Sequence, residues 1–194
     1  MIGLRILSPI ESRIKIFEKI RDIPYAVIPE FIDPERGPVG ILTKNNGSCS
    51  PKHFLLGIMY RKLEIPIKYV SYPFYWGELD ADAPLNVRKL ADEMPLGYHV
   101  ACKAYINERW MLIDATWDPP LKRVGFPVNE VWDGVSDTIN AVKSHEEIVH
   151  ENEHERMEYL NTKTAWYREK EKTLSNEFYN KFNNWLEEVR KQVH

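Results

Sequence analysis

The chain has 194 residues, a formal net charge of -3 and 43% hydrophobic residues, among them six Trp, ten Tyr and seven Phe. That balance excludes a broad basic surface for nucleic acid, and no apolar run reaches the roughly 20 residues that span a bilayer. Two cysteines, Cys49 and Cys102, are too few for a disulfide framework, so a single domain over residues 1–194 in a reducing, cytoplasmic setting is expected.

Residues 1–9 carry too short an apolar run for a signal peptide. Ser8-Pro9-Ile10-Glu11 is a capping box with proline at the first helical position. Ile10, Ile14, Phe17 and Ile20 follow at helical spacing and predict a helix that ends near Asp22. Pro24 and Pro29 force an extended segment over residues 25–28. Residues 34–40 read as a loop with two glycines, and Ile41-Leu42-Thr43 leads into the next segment.

Asn46-Gly47-Ser48-Cys49-Ser50-Pro51 reads as a loop that turns directly into a helix. Ser48 or Ser50 can cap it, and Pro51 suits its first turn. Phe54, Leu55, Ile58, Met59 and Leu63 give the helix a buried face until it stops before Pro66. A thiol at a helix N-terminus meets the positive end of the macrodipole, which favours the nucleophilic thiolate.

Residues 65–74 read as a strand, and residues 76–96 as a polar surface excursion with a short helix over 86–94. Tyr98, Val100, Cys102, Ala104 and Ile106 alternate with His99, Lys103 and Tyr105, so residues 98–106 form a strand and residues 110–115 its return partner. An even number of loop residues puts His99 and Asp114 on one face; an odd number separates them unless a bulge intervenes. Residues 121–137 look irregular. From Lys143 onward the chain reads as charged and helical, with Ile148, Met157, Leu160, Trp166 and Tyr167 as anchors. The last helix, roughly residues 175–192, places Phe178, Phe182, Trp185, Leu186 and Val189 on one stripe.

Cys49, His99 and Asp114 have the residue types of a thiol triad: nucleophile, proton carrier and the carboxylate that fixes the imidazole. An oxyanion hole needs donors beside them. The Cys49 backbone N–H is one candidate, and Asn45, Asn46, Tyr25 and Trp76 are side-chain candidates. Trp76 and Tyr98 are candidates for lining a substrate groove. Cys102, on the apolar face of its strand, reads as an inert buried thiol. His53 could compete as base but sits where a helix start disfavours positive charge. His145 and His150, five residues apart on a predicted helix, would point about 140° apart, so no metal site is expected. His150 and His154 share a face without a third ligand, and no cofactor is called for.

Gly47-Ser48-Cys49-Ser50-Pro51-Lys52-His53-Phe54-Leu55-Leu56 together with Leu63-Glu64-Ile65-Pro66-Ile67-Lys68-Tyr69-Val70 resembles the cysteine motif of the transglutaminase-like superfamily. Tyr98-His99-Val100 and Arg109-Trp110-Met111-Leu112-Ile113-Asp114-Ala115-Thr116-Trp117-Asp118-Pro119 resemble its histidine and aspartate motifs, in the family's order. The resemblance covers residues 45–119. It implies a papain-like α+β core, in which a central cysteine-bearing helix packs on an antiparallel sheet, and a Cys49-His99-Asp114 triad. Residues of about 23–140 would form that core, with a helical extension from about 143 to 194. Members of the superfamily act on amides: they crosslink glutamine side chains, hydrolyse peptides or remove glycans from asparagine, and others have lost the triad and only bind.

A thiol-dependent acyl-transfer or amide-hydrolysing enzyme acting on a peptide or protein amide is therefore expected, with no nucleic-acid or membrane partner. The alternative is a non-catalytic or latent binding module whose C-terminal helices hold a partner. Acyl transfer from a thioester donor, as in arylamine acetyltransferases, is a third possibility. A groove at Cys49 left open by the chain's own segments separates the first from the second.

Overall fold

The computed structural model describes residues 7–168 and 171–192. Its centre is a four-stranded antiparallel sheet built from β1 (Ile67–Phe74), β2 (Gly97–Ile106), β3 (Arg109–Ile113) and β4 (Ile148–His150), in the order β3-β2-β1-β4. Around it lie α1 (Pro9–Arg21), α2 (Arg36–Lys44), α3 (Cys49–Arg61), α4 (Leu85–Glu93), α5 (Glu153–Arg168) and α6 (Lys172–Lys191). The architecture is α+β.

Period-two alternation sorts the sheet into two buried faces. Tyr69, Val100, Cys102, Ala104, Met111 and Ile113 face α1 and α3 in the main core. Val70, Tyr72, Phe74 and Ala101 pack on the other side with Val142. α3 is covered almost all round: Pro51, Phe54, Leu55, Leu56 and Tyr60 are buried, and so are the polar Ser50, Lys52 and His53. A helix wetted on so few sides belongs inside a fold.

α1 begins as its sequence predicts. Ser8 Oγ accepts the Glu11 N–H and the Glu11 carboxylate accepts the Ser8 N–H. α2 departs from expectation, for residues 36–44 are helical where a loop was predicted. Asp33 caps its start by accepting the N–H groups of Glu35 and Arg36 at 3.0 and 2.9 Å. Gly37 is there for space: a Cβ would lie 2.2 Å from the Phe31 carbonyl oxygen. Burial of Ile41 then outweighs the low helix propensity of the two glycines. Asn45, at φ 52°, ends α2 in the left-handed conformation.

A second correction concerns the stretch after Lys143. Residues 148–150 form β4 along β1 instead of a helix. His150 is buried there, its Nε2 3.0 Å from Ser71 Oγ, so it shares no helix face with His154. Both remaining helices form, and the α6 stripe Phe178, Phe182, Trp185, Leu186 and Val189 is buried as its spacing predicts. It packs on Tyr25, Val27, Trp117 and Phe126, and on α4 through Val87 and Ala91. The side chains of the expected anchors Trp166 and Tyr167 lie outside the described residues.

Lys52, fully buried on α3, ties three segments together. Its ammonium donates to the carbonyls of Arg21 and Ile23 at 2.9 Å each and of Thr116 at 2.7 Å. Burial pulls its pKa down to about 7, against the attraction of Asp118, Asp114 and Asp22. Lys52→Met keeps the volume but leaves three buried carbonyls without a donor, at about 1 kcal/mol or more each. The variant is expected to lose about 3 kcal/mol of unfolding free energy in urea melts; an unchanged midpoint would show that water replaces the ammonium.

Candidate active site

The geometry of the hairpin decides what can meet Cys49. β2 and β3 are joined by Asn107 and Glu108 alone, both at positive φ (51° and 62°), as in a tight hairpin turn. A two-residue loop preserves parity, so His99 and Asp114 fall on the same face. His99 Nε2 lies 2.8 Å from Asp114 Oδ2, and both side chains are buried. The ring of His99 also stacks on Tyr72, its neighbour in register on β1.

Cys49 is the first residue of α3 and is partly exposed. Ser48 is the N-cap by position, but its side chain makes no capping bond. The His99 imidazole lies close enough to the Cys49 thiol to act on its charge, and the thiol on that of the ring. Because Nε2 of His99 is engaged by Asp114, Nδ1 is the nitrogen left for the sulfur.

Each partner reinforces the charge of the next. Burial pushes the Cys49 thiol up, but His99, the Val100 backbone and the Arg156 guanidinium outweigh it and hold the thiol below its ordinary value. Burial likewise opposes protonation of His99, yet Asp114 and Cys49 raise its pKa to about 10. Asp114 sits well below the usual carboxylate range: the desolvation of a buried acid is overcome by His99, His53 and the Thr116 side chain. Its Oδ2 also accepts the Ala141 N–H at 2.8 Å, and its Oδ1 the Thr116 N–H at 3.1 Å. The arrangement favours a thiolate–imidazolium pair.

His53 is not placed to compete. Its Nδ1 lies 2.8 Å from the Cys49 carbonyl oxygen and its Nε2 accepts the Ala115 N–H at 3.0 Å. That fixes the Nδ1–H tautomer. Burial, followed by the positive neighbours His99 and Lys52, lowers its pKa to about 4 despite Asp114. Cys102 is fully buried, its thiol directed at the His53 carbonyl at 3.4 Å, and burial raises its pKa.

Cys49 and His99 open onto a groove of about 670 Å³. Tyr25, Trp76 and Tyr98 line it, as does Thr116. α5 and α6 contribute Met157, Leu160 and Tyr179 to one wall without filling the space. Trp76 is fixed by Phe74, Phe178 and Phe182 at centroid distances of 5.1, 5.0 and 5.5 Å. Gly97 allows this packing, since a Cβ there would meet the Phe74 ring at 2.8 Å and the Trp76 Nε1 at 3.3 Å. Asn45 and Asn46, weighed above as oxyanion donors, line a separate cavity with Pro24, Ala26 and Asn183. The left-handed Asn45 ends α2.

Two contributors carry no local sequence signal. Arg156 on α5 is buried in the groove wall and donates through Nη2 to the Tyr98 carbonyl at 3.1 Å, one residue before His99. The Thr116 side chain is buried in the same wall, where it helps hold the Asp114 carboxyl low.

No family model matches the chain, and no curated protein matches it. Among solved structures, a chain from Cytophaga hutchinsonii described as a "Putative Cysteine Protease" is similar at a TM-score of 0.39 and 22% identity. The match covers 57% of this chain and 32% of that one.

Proposed function

We propose that this protein is a thiol-dependent enzyme that cleaves or exchanges an acyl bond, with a peptide or protein amide as its substrate class. One observation carries it. A partly exposed cysteine at a helix start shares a groove with an imidazole that a buried carboxylate holds by one nitrogen, and each lies within electrostatic reach of the other. A purely structural cysteine has no use for that electrostatic chain. The central cysteine helix packed on an antiparallel sheet also suits the papain-like core that the motifs suggest.

Cys49 Sγ attacks the carbonyl carbon of the substrate, forming an S–C bond and a tetrahedral oxyanion. Collapse expels the amine, which takes its proton from the His99 imidazolium. The neutral imidazole then draws a proton from water or from an acceptor amine, which attacks the thioester and restores the thiol. Asp114 keeps the ring in one orientation and one tautomer throughout. The groove also argues against a latent binding module, because the C-terminal helices wall the space and leave it free at the sulfur.

The test is a limiting dose of iodoacetamide followed by peptide mapping. Cys49 is expected to label at least about tenfold faster than Cys102 at neutral pH, and an activated ester to leave its acyl group on Cys49. Slow and equal labelling of both thiols would contradict an activated nucleophile.

A further inference from the structure

Thiolate attack creates an oxyanion, and the chain offers one obvious donor, the Cys49 N–H at the first turn of α3, where helical N–H groups have no internal partner. The second donor is a side chain. The segment holding Tyr25 runs beside the cysteine loop: the Gly47 N–H donates to the Pro24 carbonyl at 3.1 Å, and the Ala26 N–H to the Gly47 carbonyl at 3.3 Å. Tyr25 therefore sits opposite a residue two positions before Cys49.

Its ring is 4% exposed and lines the groove, against Trp117 at 4.4 Å between centroids and edge-on to Phe182 at 6.4 Å. Its backbone is held from the far end of the chain. The Tyr25 N–H donates to Asp118 Oδ1 at 2.8 Å, and Arg190 Nη2 donates to the Tyr25 carbonyl at 2.9 Å. Arg190 also grips both carboxylate oxygens of Asp118 at 2.8 Å. Two residues on, the Asn183 amide bonds both the N–H and the carbonyl of Val27, at 2.8 and 2.9 Å. Among the described residues, all this anchoring leaves the Tyr25 hydroxyl itself with no hydrogen bond. The hydroxyl is not enclosed among protein atoms and faces the space of the groove it lines. Cys49 is its strongest charged neighbour, and together with burial it keeps the phenol protonated and thus a donor.

We infer that the Tyr25 hydroxyl is the second donor to the oxyanion, and that α6, through Arg190 and Asp118, is the element that positions it. The inference rests on the proposed acyl chemistry at Cys49. As the S–C bond forms, the carbonyl π electrons move onto oxygen, which accepts hydrogen bonds from the Cys49 N–H and the Tyr25 O–H. On collapse the carbonyl reforms and the leaving group departs with the His99 proton, while Tyr25 keeps its own. The rival donor is Thr116, whose hydroxyl is buried in the same groove.

Two reactions of the same sulfur separate these roles. Alkylation by iodoacetamide displaces iodide and forms no oxyanion, whereas acylation by p-nitrophenyl acetate does. Tyr25→Phe retains the ring packing and is expected to acylate about a hundredfold more slowly while alkylating at nearly the wild-type rate. Thr116→Val is expected to lower both rates together, through Asp114, and by much less than Tyr25→Phe lowers acylation. Three results would overturn the assignment: unchanged acylation in Tyr25→Phe, an equal fall of both rates in that variant, or an acylation defect confined to Thr116→Val. A wild-type protein that forms no acyl-enzyme and shows no preferential alkylation of Cys49 would overturn the acyl chemistry and this assignment together.

Discussion

Replacing His99 with alanine is expected to slow alkylation of Cys49 about a hundredfold at neutral pH, and acylation by about a thousandfold. The two numbers differ because the imidazole acts twice. In alkylation it serves only to keep the sulfur ionised. Without it, burial is opposed only by the Val100 backbone and the Arg156 charge, and the Cys49 pKa rises. Acylation by an amide or anilide, whose amine must leave protonated, loses the proton for the leaving group as well. His53 cannot take over, since both its nitrogens are engaged by backbone groups at 2.8 and 3.0 Å. Stopped-flow acylation by such a substrate beside alkylation rates of the same variant measures both losses. Equal, small losses would mean that Cys49 draws its reactivity from the helix start alone.

Asp114→Asn is expected to cost about a thousandfold in acylation while changing almost no volume. The native carboxylate accepts three donors: His99 and the Ala141 N–H on Oδ2, and the Thr116 N–H on Oδ1. An amide has one oxygen. If its NH₂ faces His99 and Ala141, the imidazole must turn to the Nδ1–H tautomer, and a proton then faces the sulfur where a proton acceptor is needed. If the NH₂ faces Thr116, the ring keeps its orientation but loses the charge that raises its pKa. In either case the ion pair with Cys49 weakens.

The variant should also change how stability depends on pH. Asp114 has a depressed folded pKa, so its contribution is present above its ordinary 3.8 and is lost as the pH falls. The raised His99 contributes fully below its ordinary 6.5 and loses that contribution as the pH rises toward about 10. The native pair therefore stabilises most between those ordinary values, and Asp114→Asn should flatten that maximum in urea melts across pH. A variant with native acylation would show that the carboxylate is only structural.

What the sequence disclosed follows from how local each signal is. The capping box at Ser8, the stripe on α6 and the alternation along β2 are patterns within a single element, and each forms as spacing predicts. The pairing of His99 with Asp114 depended on hairpin parity. Asn107-Glu108 is a tight turn with both residues at positive φ, a conformation Glu rarely adopts, so composition left the loop length open. α2 was hidden by glycines that are present for close approach to Phe31. β4 was hidden because three residues in a charged stretch carry too little pattern to outweigh their surroundings. Arg156 and the Asp118–Arg190 pair act across 57 and 72 residues respectively, Arg156 meeting His99 through the Tyr98 carbonyl 58 positions away. Such long-range charge partners leave no trace in local composition, which reads them as a solvated face.

The central claim is that Cys49 carries a negative charge at neutral pH because His99 carries a positive one. Thiolate absorbance in the ultraviolet, titrated for the wild type and corrected with a Cys49→Ser variant, isolates this sulfur from Cys102. A thiolate signal with its midpoint below the ordinary thiol value of 9.0, displaced upward in His99→Ala, is the predicted result. A Cys49 that ionises at or above that value in the wild type would contradict the account.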